Sequence, residues 1–363
     1  MRLFQVLTTI SFGDAVSNDT LALHDTLAKQ GYATKVFAEN IDERLQKKHK
    51  HISPIKKLKV ARDDVIIYHM STGTKLNYDI AEYKCKKIMI YHNVTPPEFF
   101  KGYSNIAYNL CDQGRQALEF LKDKFDYVIG DSQYNIDELK KIGFTAPMRV
   151  LPILIPFDDY SKKPSSKIVF KYKDDGYTNI LFTGRIAPNK KQEDVISAFY
   201  HYKKYYNPKS RLFLVGNSSG MESYQKRLDD YVAALGVEDV IFTGHIPFDQ
   251  ILAYYTLADL FLCMSNHEGF CVPVVEAMQF AIPVVAYNSS AVPDTLQGGG
   301  LVVDTDNPLE VAGVMNHLLT NAELKDTILK NQKARLASLG HEVVEARFLD
   351  YLKEFLENCY EKQ

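Results

Sequence analysis

Short apolar runs rich in β-branched residues alternate with longer helical patterns along this chain of 363 residues. In the first part the pattern predicts six strands, with helices Asp14–Gln30, Ala107–Lys124 and Asn135–Ile142 between several of them. The predicted strands are Leu3–Leu7, Thr34–Phe37, Val65–Tyr68, Ile88–Tyr91, Tyr127–Gly130 and Arg149–Leu151. This alternation favours βαβ crossovers and a mostly parallel sheet with helices on both faces.

The alternation stops once and then restarts. Residues 151–167 contain three prolines and no helical period, which is typical of a linker. Strands are then predicted at Asn179–Thr183, Arg211–Val215, Val240–Thr243, Leu260–Cys263, Pro283–Ala286 and Leu301–Val303. Helices are predicted at Gln192–Tyr206, Met221–Leu235, Asp249–Leu257 and Val274–Phe280. We therefore expect two doubly wound α/β domains in tandem, at residues 1–160 and 161–340, followed by a helix in residues 341–363.

Composition narrows the classes of function. The 43 basic and 45 acidic residues give a net charge of −2, whereas a nucleic-acid-binding protein usually has a strong basic excess. No apolar run approaches the roughly 18 residues of a membrane span, and Met1–Leu7 is too short for a signal peptide. The cysteines form no C-x-x-C pair and favour reduced thiols; they are Cys85, Cys111, Cys263, Cys271 and Cys359. These features predict a cytoplasmic protein, with membrane contact only at its periphery.

Open α/β sheets bind ligands at the carboxyl ends of their strands, and two such domains that face each other enclose a cleft. The segment from His267 to Met278 follows a buried strand and leads into a helix. Gly269 allows close approach of the backbone to a ligand, and the N–H groups of the helix start favour an anion. Glu268 and Glu276 flank this helix start, where carboxylates are suited to hydroxyl groups. The alternative is a capping glutamate and a solvated one.

A second segment, Phe182–Lys191, follows the first strand of the second domain. Arg185 offers a planar fork for phosphate oxygens, and Lys190 offers a point charge. The alternative for such residues in a loop is solvated surface.

The His267–Met278 segment resembles the Glu–seven residues–Glu motif of retaining glycosyltransferases of family 4, which have the GT-B fold. Phe182–Lys191 is similar to the family's segment that grips the donor diphosphate; Lys191 stands where the family often has Gly, so either lysine is a candidate. Leu214–Gly216 and Phe242–Ile246 resemble the turns that flank the nucleotide base. Their glycines also suit an ordinary β-to-α turn.

Strand ends in the first domain supply further candidates. Gly13 and Asp14 precede the first helix, where the resemblance indicates contact with donor phosphates or acceptor hydroxyls. His92 ends a strand and resembles a family histidine near the transferred sugar, although a lone histidine is often structural. His69 is a weaker candidate, and Ser132 is interpreted as a helix cap.

The resemblance implies a retaining transferase that moves a hexose from a nucleoside diphosphate sugar to a glycan or lipid-linked glycan, with the donor in the second domain. Catalysis is assigned to Glu268, His92, Arg185 and Lys190. Donor binding is assigned to Gly13, Asp14, Gly184, Arg185, Lys190, Gly216, His245, Ile246, Glu268, Gly269, Phe270, Cys271, Val272 and Glu276. No covalent nucleophile, metal or cofactor is implied. The last helix is expected to cross back to the first domain.

Phe12–Asp19 and Tyr91–Phe100 look like a subgroup that builds bacterial surface polysaccharides, so GDP-mannose is the first expectation for the donor and UDP-linked sugars the next. Asp304-Thr305-Asp306 spells a metal-binding motif of another glycosyltransferase fold. Here it precedes Asn307-Pro308 and is interpreted as a surface turn and helix cap. The alternatives are an epimerase or phosphorylase of related architecture, or a non-catalytic module that binds sugar nucleotides.

A basic stretch runs from Arg44 to Arg62, with eight Lys or Arg residues and no acid. It is interpreted either as a solvated loop or as a surface attracted to anionic membranes, at about 1 kcal/mol per basic residue. The second interpretation suits a lipid-linked acceptor.

Overall fold

The computed structural model describes residues 1–361, of which residues 360 and 361 are described only as backbone. The chain divides into two compact units. The first unit contains Met1–Glu98, Ile106–Pro156 and Leu339–Gln363, and the second contains Phe99–Asn105 and Phe157–Ser338.

The first unit is built on a seven-stranded parallel sheet in the order β3-β2-β1-β4-β5-β6-β7. The strands are β1 (Arg2–Ile10), β2 (Ala33–Ile41), β3 (Ile52–Pro54), β4 (Val65–Met70), β5 (Lys86–Tyr91), β6 (Tyr127–Gly130) and β7 (Met148–Val150). The helices are α1 (Ala15–Lys29), α2 (Glu43–Lys48), α3 (Leu76–Asp79), α4 (Asn105–Leu121) and α5 (Gln133–Ile142). The strand order reverses between β1 and β4, which is the switch point of this sheet.

The second unit is built on a six-stranded parallel sheet in the order β10-β9-β8-β11-β12-β13. Its strands are β8 (Thr178–Thr183), β9 (Ser210–Val215), β10 (Val240–Gly244), β11 (Leu260–Cys263), β12 (Val284–Tyr287) and β13 (Leu301–Val303). Its helices are α6 (Ser166–Tyr172), α7 (Gln192–Tyr205), α8 (Glu222–Leu235), α9 (Phe248–Leu257), α10 (Val272–Gln279), α11 (Val292–Leu296), α12 (Pro308–Thr320) and α13 (Ala322–Ser338). The prediction of an α/β fold with two doubly wound parallel sheets is confirmed.

Alternating side chains place the core of the first unit on both faces of its sheet. Along β4, Ile66 and Tyr68 pack on one face, while Val65 and Ile67 pack on the other. The last helix, α14 (His341–Leu356), joins the second of these faces through Val344, Phe348, Leu352 and Phe355. This apolar stripe explains why the C-terminal helix belongs to the first unit.

Several helix starts follow from local capping. Asp14 accepts a hydrogen bond from Ser17 N at the start of α1, and Ser132 accepts one from Asn135 N at the start of α5. Asn307 caps α12, which begins at Pro308. The interpretations of Ser132 and of the segment after Asp306 as caps are confirmed, because a side-chain oxygen there satisfies an amide that the helix leaves unpaired.

The structure corrects some predicted boundaries. The basic stretch contains a helical turn and β3, which pairs with β2 through Ile52 and Ser53. The expected linker contains the 3₁₀ segment Phe157–Ser161 and the start of α6. The units change after Pro156 and after Ser338, where the predicted boundaries were after residues 160 and 340, and the segment Phe99–Asn105 also belongs to the second unit. Residues 362 and 363 of the predicted last segment lie outside the described residues. Within residues 1–361, no helix combines the length and hydrophobicity that a bilayer crossing requires.

Candidate active site

The loops after β8 and β11 meet at the switch point of the second sheet, because these strands are neighbours there. Asn189 joins the two loops. Its carbonyl oxygen accepts from the amide of Asn266 at 2.9 Å, and its side-chain amide donates to the carbonyl of His267 at 3.1 Å. Both sequence-predicted motifs are thereby held side by side.

Lys190 and Glu268 form an ion pair across these loops. The Lys190 Nζ atom lies 2.6 Å from each carboxylate oxygen of Glu268. Burial lowers the pKa of Lys190, but the charge and hydrogen bonds of Glu268, together with Cys271 and Cys263, raise it overall. Lys190 retains 18% of its side-chain exposure. The ammonium is therefore held in its charged form, fixed in position and partly open to solvent.

Lys191 occupies a different environment from Lys190. Its Nζ atom lies 3.2 Å from Asp194 and 3.9 Å from Glu193, both on α7. Its backbone is left-handed, with φ at 51°, which is a conformation that glycine adopts most readily. Of the two candidate lysines, Lys190 is the one that contacts the second motif.

Glu276 is the other predicted carboxylate of this region. Its two oxygens accept hydrogen bonds from the hydroxyls of Tyr160 and Tyr255, each at 2.5 Å. The Tyr255 hydroxyl also lies 2.5 Å from that of Thr183 at the end of β8. Burial raises the pKa of Glu276, and the two tyrosine hydrogen bonds oppose that shift. A carboxylate oxygen accepts more than one hydrogen bond, so Glu276 can still accept from a ligand hydroxyl.

Three predicted glycine turns come together at the carboxyl ends of β8, β9 and β10. The amide of Gly184 donates to the carbonyl of Val215 at 2.9 Å, and Gly216 forms an isolated bridge with Gly244. A Cβ atom on Gly216 would lie 1.8 Å from the carbonyl oxygen of Gly184. Only glycine fits this contact.

The predicted diphosphate and base contacts lie beside these turns. Arg185, directly after Gly184, is exposed, and its carbonyl accepts from Gln192 Nε2 at 3.1 Å. His245 is exposed and Ile246 is half-buried in the segment that follows β10. These side chains are accessible to a ligand at this edge of the second sheet.

The turn between Glu268 and α10 has a left-handed residue at Cys271, with φ at 74°. Helix α10 begins at Val272, with Pro273 in its first turn, two residues earlier than predicted. The side chain of Cys271 accepts no capping hydrogen bond from the amides of this helix start. The Phe270 side chain is buried, and its carbonyl accepts from the hydroxyl of Thr295. Gly269 lies in the same turn.

The predicted residues of the first unit lie at the ends of its strands. Asp14 Oδ2 accepts from the amide of Ser17 at 2.9 Å and from its hydroxyl at 2.8 Å. Asp14 is thus a helix cap, next to Gly13 with its left-handed φ of 78°. The capping bonds use Oδ2 of an exposed side chain, and the expected contact of Asp14 with the acceptor stays a prediction.

His92 lies in a buried chain of hydrogen bonds. Its Nδ1 atom is 2.9 Å from Asp131 Oδ2, and its Nε2 atom is 2.9 Å from His69 Nδ1. The His69 Nε2 atom is in turn 2.8 Å from Gln5 Oε1. Both ring nitrogens of His92 therefore contact protein groups, and the side chain is 1% exposed. In this arrangement neither ring nitrogen of His92 is available for the expected contact with a sugar hydroxyl.

The donors and acceptors along this series of hydrogen bonds show which atoms carry the protons. Gln5 Nε2 donates to the carbonyl of Thr20 at 2.9 Å, so Gln5 Oε1 faces His69 and accepts from it. Burial lowers the pKa of His69 well below its usual value, so the ring is neutral and its Nδ1 accepts. With Asp131 ionised, His92 donates from both nitrogens and is an imidazolium, in agreement with a pKa of His92 that Asp131 raises against the effect of burial.

Sequence reasoning missed the residues that hold the predicted ones. Tyr160 lies in the expected linker and Tyr255 on α9, so neither has a motif that marks it. Asp131 adjoins Ser132 at a strand end, which was its one signal. Asp19 is another buried acid of the first unit; it accepts from the amide of Leu154 at 2.8 Å, and burial raises its pKa to about 7.

Comparison with known proteins adds to this geometry. Residues 165–335 match the family described as Glycosyl transferases group 1. The matched segment is slightly less than half of the chain. It covers most of the second unit, including the loops after β8 and β11, and agrees with the family resemblance of the two motifs.

Curated relatives of this chain share low identity with it. The chain is 26% identical over 231 residues to a GDP-mannose-dependent alpha-(1-6)-phosphatidylinositol monomannoside mannosyltransferase of Mycobacterium tuberculosis, covering 60% of this chain and 59% of that relative. It is 31% identical over 119 residues to the O-antigen chain mannosyltransferase B of Escherichia coli, covering 32% of this chain and 27% of the relative. The chain thus spans less than two thirds of these relatives.

Solved structures match this chain over nearly its whole length. The Anabaena protein HepE in complex with UDP and glucose has a TM-score of 0.75 at 19% identity, over 98% of this chain and all of that one. The sucrose-phosphate synthase of Thermosynechococcus elongatus has a TM-score of 0.74 at 17% identity, over 99% of this chain and all of that one. These matches show the two-domain fold of the GT-B class.

Proposed function

We propose that the protein is a retaining glycosyltransferase that moves a hexose from a nucleoside diphosphate sugar to a glycan or lipid-linked glycan. The observation that carries this proposal is the Lys190–Glu268 pair at the switch point, with Glu276 beside it on α10. Lysine and exposed arginine suit a diphosphate, while the carboxylates suit ribose and sugar hydroxyls. The family match and the mannosyltransferase relatives support the reaction class.

In the proposed reaction, Arg185 and Lys190 stabilise the negative charge that develops on the departing diphosphate. The N–H groups at the start of α10 add favourable dipoles. Glu276, oriented by Tyr160 and Tyr255, accepts hydrogen bonds from the ribose hydroxyls. Glu268 binds the sugar ring and stabilises oxocarbenium-like charge. The turns at Gly216 and at His245 and Ile246 border the base, and Gly184 lies beside the diphosphate.

The first unit is proposed to hold the acceptor. A direct bond from His92 to a sugar hydroxyl requires the bond between His92 Nε2 and His69 to open, because Asp131 holds the other nitrogen. Without that opening, His92 acts on the substrate only through its positive charge. The phosphate oxygen of the leaving group is proposed to take the acceptor proton, with retention of the anomeric configuration and without metal or cofactor.

Mannose from GDP-mannose is the proposed donor group, supported by the two mannosyltransferase relatives; UDP-linked sugars are the next candidates. The eight basic side chains between Arg44 and Arg62 are exposed, with Arg44 paired to Asp42 and Lys47 to Glu43. Their exposure supports the proposal of a peripheral contact with an anionic membrane. Binding to anionic vesicles should be lost when four of these lysines are neutralised.

The first experiment is a melting series with GDP, UDP, dTDP and ADP, with and without EDTA. A ligand of the folded state adds about 2.7 kcal/mol of stability at a hundredfold excess over its Kd. We expect one nucleotide to raise the melting temperature in the parent protein and in Arg62→Ala, which removes an exposed guanidinium of the first unit. The rise should be absent in Arg185→Ala. No shift with any nucleotide would contradict the proposal.

The second experiment follows the products by NMR, with the nucleotide sugar that the melting series selects. Retention predicts that the new glycosidic bond has the anomeric configuration of the donor. An inverted product would refute the retaining mechanism. A reaction without added acceptor separates transfer from epimerisation or phosphorolysis.

A further inference from the structure

Two buried thiols lie beside the Lys190–Glu268 pair. Cys263 ends β11 and Cys271 precedes α10, and their Sγ atoms are 3.9 Å apart. Two thiolates bound to a tetrahedral zinc ion, each at about 2.3 Å, are separated by about 3.8 Å. The spacing of the thiols therefore matches the separation of two zinc ligands.

Glu268 supplies a third ligand of suitable chemistry. One of its oxygens and the two sulfur atoms all lie within 4.8 Å of one another. Zinc accepts carboxylate oxygen together with thiolate sulfur. A set of three protein ligands leaves one position of a tetrahedron open to water or to a ligand oxygen.

The surroundings of these three side chains also suit an ion. The Cys263 sulfur lies 3.4 Å from the Ser265 hydroxyl, which can donate to a metal-bound thiolate. The cysteines are buried, at 2% and 5% exposed, but the partly exposed side chain of Lys190 leads from solvent to Glu268. An ion can enter along this side when Lys190 moves.

We propose that Cys263, Cys271 and Glu268 form a binding site for a thiophilic divalent cation of the zinc class, in competition with Lys190 for the Glu268 carboxylate. Binding forms two metal–sulfur bonds and one metal–oxygen bond. Each thiol releases its proton to solvent, and no electron is transferred. The Lys190 ammonium loses its contact with the oxygen that the metal binds, because its Nζ atom lies 2.6 Å from both carboxylate oxygens in the metal-free arrangement.

A consequence follows that rests on the proposed function. With the metal bound, Lys190 and Glu268 no longer have the arrangement in which they would hold a diphosphate and a sugar. The ion would act as an inhibitor of donor binding and not as a catalytic cofactor.

Titration of the full-length, reduced protein with Co²⁺ tests the site directly, in a buffer with a non-thiol reductant. Cobalt bound to thiolate gives near-ultraviolet charge-transfer absorption, and we expect these bands to saturate at one equivalent and to disappear on addition of Zn²⁺. Absence of the bands would overturn the proposal. Because two protons are released, affinity should rise by up to about a hundredfold per pH unit below the thiol pKa values.

Variants distinguish this site from other thiols. Cys263→Ser and Cys271→Gly should each weaken Co²⁺ binding by about a hundredfold or more, comparable to or beyond the loss of an outer-shell partner. Cys271→Gly also suits the left-handed backbone at this position, so it keeps the test valid if Cys263→Ser fails to fold. Cys85→Ser, a buried cysteine of the first unit, should bind as the parent does. Bands that survive in Cys271→Gly would refute the assignment.

Lys190→Gln gives the sharpest test of the competition. It removes the cation from Glu268, so metal affinity should increase by about tenfold, in the range of outer-shell effects. Weaker binding in this variant would contradict the proposed competition. Zn²⁺ should also abolish the nucleotide-dependent melting shift in the parent protein but not in Cys263→Ser. Cobalt binding without any nucleotide shift would support the metal site and contradict the proposed transferase function.

Discussion

The buried charged groups of the two units differ in how their hydrogen-bonding capacity is used. In the second unit, Lys190 and Glu276 lie at strand and helix ends where part of the carboxylate or ammonium can still reach a ligand. In the first unit, the chain from Gln5 through His69 and His92 to Asp131 uses both nitrogens of each ring internally. The comparison indicates that the second unit keeps charged groups accessible to a ligand. The charged pair of the first unit instead stabilises that unit itself.

Disruption of the buried His92–Asp131 pair of the first unit should have the largest effect on the free energy of unfolding. Asp131→Ala leaves the His92 imidazolium without its counter-ion, and breaking a buried pair costs about 3–5 kcal/mol. Urea unfolding of the variant should show this loss. Asp137→Ala, an exposed acid on α5, should change the free energy of unfolding by less than about 0.5 kcal/mol. A similar small loss in Asp131→Ala would show that His92 is not charged.

The Lys190–Glu268 pair of the second unit should instead control kcat. Lys190→Ala should lower kcat by about 10²–10³, the usual cost of removing a group that stabilises developing charge. Lys191→Ala removes the neighbouring lysine, whose partners are on α7, and should lose far less. Steady-state kinetics with the preferred donor measure both. Equal losses would mean that the structure assigns the wrong lysine.

A substitution at Gly216, which contacts Gly184, tests how closely the strand-end turns of the second unit are packed. Gly216→Ala places a methyl group against the Gly184 carbonyl, and the backbone must shift, at about 1–3 kcal/mol. We expect weaker nucleotide binding together with a lower melting temperature. Gly220→Ala, where a Cβ meets open space but the backbone is left-handed, is the matched control for backbone strain alone. Normal nucleotide binding in Gly216→Ala would contradict the predicted role of this turn.

Asp19 makes the stability of the first unit depend on pH. Asp19 has a pKa raised by burial to about 7, above its unfolded value of 3.8, so the folded state holds a proton that the unfolded state releases. Stability from Asp19 is complete below pH 3.8 and falls as pH rises towards 7, by up to about 1.4 kcal/mol per pH unit. Asp19→Asn should remove this dependence. The difference in melting temperature between parent and variant isolates Asp19 from His69, whose lowered pKa acts in the opposite sense at low pH.

The two motifs of the second unit were accessible to sequence reasoning because their residues are close together in the chain. Glu268, Glu276 and Pro273 lie within nine residues, and a strand-to-helix turn brings such residues together in any βαβ unit. The tyrosines that orient Glu276 were not accessible in this way. Tyr160 is 116 residues away from Glu276 in sequence, and tyrosines in a linker or a helix have no local signal.

His92 shows the limit of reasoning from strand ends. The sequence correctly placed His92 after β5. The predicted contact with a sugar hydroxyl, however, required the ring to have a free nitrogen. Asp131 and His69 occupy both nitrogens from strands β6 and β4, which become neighbours of β5 only when the sheet forms. Hydrogen-bond satisfaction in a buried site is a property of the assembled neighbours and not of the residue itself.

The sequence by itself determined the alternation of strands and helices, the restart after the linker and the glycine-rich turns, because periodicity and backbone preference act between nearby residues. Only the tertiary structure decided which groups form hydrogen bonds or ion pairs with one another. It paired Lys190 with Glu268 over 78 residues, closed the His69–His92–Asp131 chain, and set the Cys263 and Cys271 sulfurs 3.9 Å apart. Electrostatic and hydrogen-bond partners depend on distances of a few ångströms, and parallel strand order is what sets those distances in this fold.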